Sequence, residues 1–256
     1  MKNLKYEAWI SGVALSSVAP EIFVSGIEYE APRRQISAEP LANRFGQIMT
    51  QNRFDPATVR ISFVTKRISG VRRQKIVEAV AKWASGAQLM ISDRPDQQLR
   101  VNCMQFPYIP DSCSFTDPIT IEFQTIENPF WEDLTPTKYT MSGTEGYGTF
   151  YVPGNAPQTY GEVKITPVGN LSTVMVALGS TSITLEDVGA SAGTPITIGY
   201  TPSGILRIRR GNTSILDKRT AASADDLIAY PGAINAARFE ADGTVSVEFA
   251  VKGAWL

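Results

Sequence analysis

The sequence predicts a mainly β protein in two parts: an α+β N-terminal domain with one main helix, then an all-β sandwich domain. Only one segment shows a sustained helical period, and apolar residues elsewhere alternate with polar ones in short runs. The second half contains only such runs, separated by turn residues. We therefore expect an N-terminal domain at 1–133, a linker region at 134–150 and a C-terminal β-sandwich at 151–256.

The N-terminal part opens with short strands. YEAWISGVAL and EIFVSGIEYEAP are typical of half-alternating strands, and TVRISFVTKRI places Val59, Ile61 and Phe63 on one face. The segment before this last strand, at 33–56, has no sustained period. We expect an extended arm or a long loop there, and loops of this length commonly contact a partner.

One helix is predicted over SGVRRQKIVEAVAKWASG, at 69–86. Apolar and charged residues segregate to two sides at helical spacing. The apolar side carries Ile76, Val77, Val80, Trp83 and Ala84, and the charged side carries Arg72, Arg73, Lys75, Glu78 and Lys82. Gly86 is expected to cap the C-terminus of this helix.

A hairpin and a closing strand follow the helix. QLMISDRPDQQLRVNCMQF predicts two strands around a turn at 93–96, with Leu99, Val101 and Cys103 on one face. Next, ITIEF alternates in the same way. The octet IENPFWED then ends the block, because Asn128 before Pro129 favours an extended or turn conformation.

Phe130 and Trp131 in this octet are predicted to mark the seam between the two domains. Their simplest role is to plug the base of the first domain, and the alternative is an exposed platform on which a sugar could stack. In the second half, Gly199 to Gly204 and Asp242-Gly243 are expected to form hairpin turns.

Composition excludes several classes of function. The chain has 24 basic and 25 acidic residues, so its net charge of −1 gives no overall case for nucleic acid or an anionic membrane. It has no histidine, which removes Ser-His-Asp and Cys-His catalysis and the zinc sites that need histidine. No apolar run reaches the roughly 20 residues that span a bilayer, and the N-terminus lacks a signal peptide's apolar core. Synthesis and retention in the cytoplasm are therefore expected.

Reactive groups are sparse. Cys103 and Cys113 flank the tip of a long hairpin, where two reduced thiols are expected and a disulfide is the alternative. Acid pairs occur at 132–133, 186–187 and 225–226, but adjacent carboxylates on a strand point to opposite faces. Neither a phosphate loop nor dinucleotide spacing occurs. We expect no catalytic, cofactor-binding or metal site.

The strongest charge feature is a basic stretch with Glu78 as its only nearby acid in the sequence. It consists of Arg60, Lys66, Arg67, Arg72, Arg73, Lys75 and Lys82. Three readings stay open: a solvated helix face, a nucleic-acid contact, or a contact with an acidic surface of a neighbouring subunit. No aromatic stacking platform interleaves with the basic residues, which disfavours single-stranded nucleic acid.

The order of segments resembles the short form of the distal tail protein of siphophages, in the phage tail component family. VRISFVTK, VAKWASG, LMISDRPDQQLRV and IEFQTIENPFWED carry the resemblance in the first half. YGEVKITPVG, GILRIRRGNTSILDKRT and the C-terminal stretch with Pro231, Gly232 and Asn235 carry it in the second half, which is similar to that family's galectin-like domain.

The resemblance implies an architectural, non-enzymatic protein at the tail tip of a virion. Six N-terminal domains would form a ring continuous with the tail tube, and the galectin-like sandwiches would project outward. The partners implied are other copies of the chain, the tail tube protein, a tail-tip or tail-associated protein and possible receptor-binding proteins, with DNA passing transiently through the lumen. Possible inter-subunit contacts are Arg60, Lys66, Arg67, Arg72, Arg73 and Lys75.

Two other classes of protein are alternatives to this interpretation. A carbohydrate-binding protein would use aromatics of the C-terminal sandwich, but the candidates lie scattered among turns and ends; they are Tyr160, Tyr200, Tyr230 and Trp255. A tube or fibre subunit would stack in an open-ended manner and not form a closed ring.

Overall fold

In a computed structural model the chain forms two compact units, Met1–Trp131 and Glu132–Leu256. The structure describes residues 6–40, 47–108, 117–126, 128–201 and 204–256. Strands dominate both units, which confirms the predicted mainly β fold class.

The described part of the first unit contains one long helix among mostly antiparallel strands. Its elements are β1 (Ala8–Ile10), β2 (Val13–Ala14), α1 (Leu15–Val18), β3 (Ile22–Glu30), β4 (Arg34–Pro40), β5 (Gln47–Phe54), β6 (Thr58–Thr65), α2 (Gly70–Trp83), β7 (Gln88–Ile91), β8 (Arg94–Gln105) and β9 (Ile119–Thr125). A short strand, β10 (Trp131–Asp133), follows.

One antiparallel sheet runs in the order β2-β1-β7-β8-β9-β6-β3. The alternating apolar residues of β6 and β9 are buried, as predicted: Val59, Ile61, Phe63, Ile119, Ile121 and Phe123. The apolar side of α2 is buried too, and the Trp83 ring meets the Phe123 ring edge to face at 6.2 Å between centroids. The apolar face of the helix, with its period of 3.6 residues, therefore packs on the apolar face of the sheet, with its period of two.

The helix departs from the sequence prediction at two points. Arg73, expected on the charged side, is buried. The helix ends at Trp83 with Ala84 as its C-cap, and not at a glycine cap. Gly86 has no left-handed φ; the chain leaves the helix through bonds from the Ser85 and Gly86 N–H groups to the Lys82 and Trp83 carbonyls. The start is as predicted, with the Ser69 hydroxyl accepting from the Arg72 N–H at 3.3 Å.

Gly86 is required for close approach and not for capping. A Cβ at this position would clash with the Ile10 side chain of β1 and lie 2.9 Å from the Ser11 hydroxyl. We expect Gly86→Ala to lower the free energy of unfolding by about 1–3 kcal/mol through overpacking, measured by urea denaturation. Gly70→Ala is the control, because a Cβ there meets nothing within 4 Å. Equal midpoints for the two variants would contradict this role.

The segment expected to be an extended arm or a long loop is a β-hairpin. Strands β4 and β5 are antiparallel, with Arg34 opposite Phe54, and among the described residues they pair only with each other. Pairing satisfies the backbone groups on the facing edges of the two strands, which a bare loop would leave to water. We call this element the arm hairpin.

The second unit is all β apart from one 3₁₀ turn in its described part. Its elements are β11 (Thr137–Val152), β12 (Thr159–Pro167), β13 (Val174–Leu178), β14 (Thr181–Leu185), β15 (Ile196–Tyr200), β16 (Leu206–Arg210), β17 (Thr213–Ser214), the 3₁₀ turn Leu216–Lys218, β18 (Ile228–Ala229), β19 (Ala233–Val251) and β20 (Ala254–Trp255).

The long strand β19 organises this unit. It pairs with β11 along most of its length, and on its other edge with β13 near its start and β12 near its end. Apart from β11 and β18, the strands of this sheet are arranged in the order β14-β13-β19-β12-β15-β16-β17. Inward residues such as Phe239, Val247 and Phe249 are fully buried in a single apolar cluster.

Two expectations for this half are wrong. Residues 134–150, interpreted as a linker, lie mostly in β11. Two of the glycines that suggested a linker are close-approach positions: a Cβ on Gly146 would clash with the Phe239 ring, and one on Gly148 with the Tyr139 ring. Asp242-Gly243 is not a hairpin turn, because β19 continues through it. The hairpin turn between β15 and β16 is confirmed.

Candidate assembly surfaces

Two of the basic candidates are matched by acids of their own chain. Arg60 Nε donates to Glu122 Oε2 at 2.8 Å, because strand register places these residues opposite each other on β6 and β9. Arg72 makes two bonds to the Glu21 carboxylate, at 3.0 and 3.1 Å. The guanidinium of Arg72 holds the pKa of Glu21 below its ordinary value, and Glu122 raises the pKa of Arg60. Sequence reasoning missed both acids because they lie 62 and 51 residues away.

The other basic candidates divide into buried and exposed groups. Arg73 is buried and so presents no open contact surface. Lys66 is exposed, with its ammonium 5.7 Å from the centre of the Phe23 ring. Arg67 and Lys75 are exposed, as is Lys82 further along α2. The structure therefore leaves a smaller basic surface than the sequence suggested.

Exposed residues of α2, together with the exposed Arg67 just before the helix, define a surface that we call the outer face of α2. It consists of Arg67, Val71, Lys75, Glu78 and Lys82. Val71 is 72% exposed and is the apolar member of this otherwise charged set.

Phe130 and Trp131 are buried, so they cannot serve as a sugar-stacking platform. Trp131 meets the Tyr29 ring edge to face at 5.5 Å, and the Arg94 guanidinium lies 5.2 Å from its ring centre. Phe130 meets Phe54 edge to face at 5.1 Å. The boundary between the two compact units falls directly after Trp131. A role for the pair as the seam stays a prediction.

At the end of β8 and just beyond it, three large apolar side chains are exposed, and sequence reasoning missed them. Met104, Phe106 and Tyr108 alternate and are all exposed, Tyr108 at 70%. The pairing of β8 with β9 shifts register between Cys103 and Gln105. In the sequence, the apolar residues lie at odd positions up to Cys103 and at even positions from Met104 onward. This change of position is the feature of the sequence from which the exposed residues could have been predicted. We call these three residues the hairpin stripe.

Cys103 is half-buried at the start of this stripe, and burial raises the pKa of its thiol. Cys113 lies outside the described residues, so the predicted pair of reduced thiols stays a prediction. Among the described residues, no group of three or more acidic, cysteine or histidine side chains could hold a metal ion. No helix in that part of the chain has the length and apolar character needed to cross a membrane.

The aromatics considered for carbohydrate binding do not form a site. Tyr160 and Tyr200 pack on each other at 5.0 Å, and the Tyr200 hydroxyl accepts from the Leu227 N–H at 2.8 Å. Burial raises the pKa of Tyr200. Trp255 Nε1 donates to Asp133 Oδ1 at 2.8 Å. Tyr230 is exposed, with its hydroxyl 3.2 Å from that of Ser180.

The turn at Pro231, Gly232 and Asn235 has a structural explanation. Gly232 has a φ of 77°, and the buried Asn235 side chain bonds both the N–H and the carbonyl of Tyr230. Asn235 therefore fixes the entry into β19.

A shallow depression on the second unit combines apolar and acidic side chains. We call it the acidic depression; its lining is Ile205, Leu206, Leu216, Asp217, Arg219, Thr220, Ala221, Asp225 and Asp226. Asp225 lies 3.3 Å from the Arg219 guanidinium. Burial, together with neighbouring Asp225, raises the pKa of Asp226.

No protein-family model matches the chain, and no curated protein matches it. Among solved structures, the chain is similar to the crystal structure of SPP1 Dit, described as a paradigm of the hub adsorption apparatus of phages that infect Gram-positive hosts. The two share 12% identity with a TM-score of 0.67, over 98% of this chain and 99% of that one. At this identity the likeness establishes a shared fold, and so confirms the resemblance to distal tail proteins at the level of the fold.

Two structures of the phage p2 baseplate in its activated conformation also align. The structure with Sr has 8% identity and a TM-score of 0.46, over 96% of this chain and 97% of that one. The structure with Ca has 8% identity and a TM-score of 0.48, over 97% of each chain. Both TM-scores are too low to establish a shared fold.

Proposed function

We propose that this chain is a structural distal tail protein, the baseplate hub of a siphophage or prophage. In this proposal it forms a homohexameric ring that joins the tail tube to the tail-tip and receptor-binding apparatus. The observation that carries the proposal is the fold shared with SPP1 Dit, a phage hub protein, along almost the entire length of both chains. Because the match spans both compact units, it supports a common architecture and not a single shared domain.

Two elements of the first unit favour assembly. The arm hairpin pairs only with itself among the described residues, so the outer edges of both its strands are open to a neighbour. The hairpin stripe leaves three large apolar side chains in solvent. Burying them against another copy would remove that apolar surface from water, which is the main driving force for association.

The remaining partners follow from the proposed position in the tail. One face of the ring would contact the tail tube protein and the other the tail-tip protein, while DNA would cross the central channel only in transit. The chain would be made in the bacterial cytoplasm and reside in the virion. Such a role asks for contact surfaces and not for reactive groups, in keeping with the side chains at the surfaces described above.

Negative-stain electron microscopy of the purified chain at high concentration tests this proposal. We expect closed rings with six-fold symmetry, a central channel and peripheral lobes, and a mass by light scattering near six times 27.9 kDa. Open-ended filaments would contradict a closed hub. Monomers at every concentration would contradict self-assembly of the ring.

A further inference from the structure

We infer that the outer face of α2 on one copy docks in the acidic depression on the second unit of a neighbouring copy. The inference deepens the proposed function, and it rests on that function only for closure of the contact into a ring. The unmatched charges of the two surfaces and the exposed apolar side chains on each of them support it.

The acidic depression is both apolar and negatively charged. Ile205 is 64% exposed and Leu216 is also exposed, so two large aliphatic side chains are open to solvent. Three aspartates and one arginine line the depression, which gives a charge of −3 + 1 = −2. Because Arg219 approaches Asp225, the carboxylates of Asp217 and Asp226 are the ones left without a neutralising ion pair among the described residues.

The outer face of α2 has the opposite character. Arg67, Lys75 and Lys82 with Glu78 give a charge of +3 − 1 = +2. Within the described part of the chain, none of these three basic residues forms an ion pair, whereas nearby Arg72 is neutralised by Glu21. Residues 71, 75, 78 and 82 follow helical spacing, so Val71 and the two lysines share one face.

Charge complementarity indicates that the acidic depression binds the outer face of α2 of a second copy of the chain. A +2 surface that includes one exposed valine fits a −2 surface with two exposed aliphatic side chains, and complementary potentials of this kind set partner choice and orientation. Val71 would contact Ile205 and Leu216, while Lys75 would approach Asp217. The acids that the sequence analysis sought on a neighbouring subunit are thereby assigned to named residues.

The contact would be heterologous, since its two sides are different surfaces of the chain. Each copy can offer α2 to one neighbour and the acidic depression to another. Head-to-tail contacts of this type generate rings when the rotation closes. The inference is therefore compatible with the proposed hexamer without requiring any two-fold pairing.

Charge reversal with rescue tests the inference on the full chain. Lys75→Glu and Asp217→Lys are each expected to weaken self-association by roughly tenfold or more, because each places like charges together. The double variant Lys75→Glu with Asp217→Lys should recover most of the association, since the pair is restored with reversed signs. Lys164→Glu and Glu145→Lys are matched controls at exposed positions outside both surfaces. Circular dichroism and the unfolding midpoint check that every variant folds.

A disulfide trap gives a second readout. In a Val71→Cys, Ile205→Cys double variant, mild oxidation should produce a ladder of linked copies on a non-reducing gel. The single variants control for Cys103 and Cys113. A ladder no stronger than that of the single variants would overturn the contact.

The outcomes separate this inference from the proposed function. If Lys75→Glu and Asp217→Lys form rings as well as the unmodified chain does, the inferred contact is wrong and the proposed hub function stands. Association that responds to the charge swap but builds only dimers or open chains would support the inference and contradict the ring. An absence of any self-association by the unmodified chain would overturn both.

Discussion

Replacing Trp131 with alanine is expected to lower the free energy of unfolding by about 3–5 kcal/mol, the range for buried Trp or Phe truncations. Trp131 is fully buried, and its ring contacts both the Tyr29 ring and the Arg94 guanidinium. Truncation would remove the edge-to-face and cation–π contacts together and leave a cavity the size of an indole. Urea denaturation followed by far-UV circular dichroism measures the change.

Tyr147→Ala is the matched control for this experiment. Tyr147 is a large aromatic residue that is mostly exposed, so its truncation should change the free energy of unfolding by no more than about 0.5 kcal/mol. If Trp131→Ala and Tyr147→Ala shift the urea midpoint equally, Trp131 does not anchor the base of the first unit.

The double variant Phe106→Asp with Tyr108→Asp is expected to stay folded and to lose self-assembly. Both side chains are exposed in the isolated chain, so their replacement removes little of the core. If the hairpin stripe is buried between copies, two carboxylates placed there would be desolvated without partners. We expect the dissociation constant for assembly to rise by roughly 100-fold or more, as for substitutions at a central hot spot.

Light scattering and negative-stain images of this variant provide the measurement. Tyr147→Asp with Tyr151→Asp is the control, because it places the same charges at two exposed tyrosines of β11. Rings of unchanged stability in the Phe106 and Tyr108 variant would show that the hairpin stripe lies outside the contact between copies. The arm hairpin would then be the element of the first unit to test for that contact.

Elements with a clear local period could be predicted from the sequence. The alternation of Val59, Ile61 and Phe63 places β6 correctly, and the spacing of Ile76, Val80 and Trp83 places α2. Both patterns depend on which face of a single element is apolar, and that is a local property. The fold shared with SPP1 Dit shows that the order of such elements was also informative.

Predictions failed where glycine served packing. Gly86 was interpreted as a helix cap, and Gly146 and Gly148 of β11 as part of a linker, whereas each of the three permits close approach of another residue's side chain. Sequence alone shows a glycine but not the neighbour that requires it. The same limit applies to Asp242-Gly243, where β19 continues through a turn-like dipeptide at a register shift in its pairing with β11.

The sequence by itself determined the mainly β class, the single long helix and its buried face, because these follow from periodicity along one segment. Only the tertiary structure decided which charges stay available for a partner. Arg60 and Arg72 are neutralised by Glu122 and Glu21, and Lys75 is left open. The physical reason is that an ion pair depends on distance in space, which strand register sets between residues far apart in the chain.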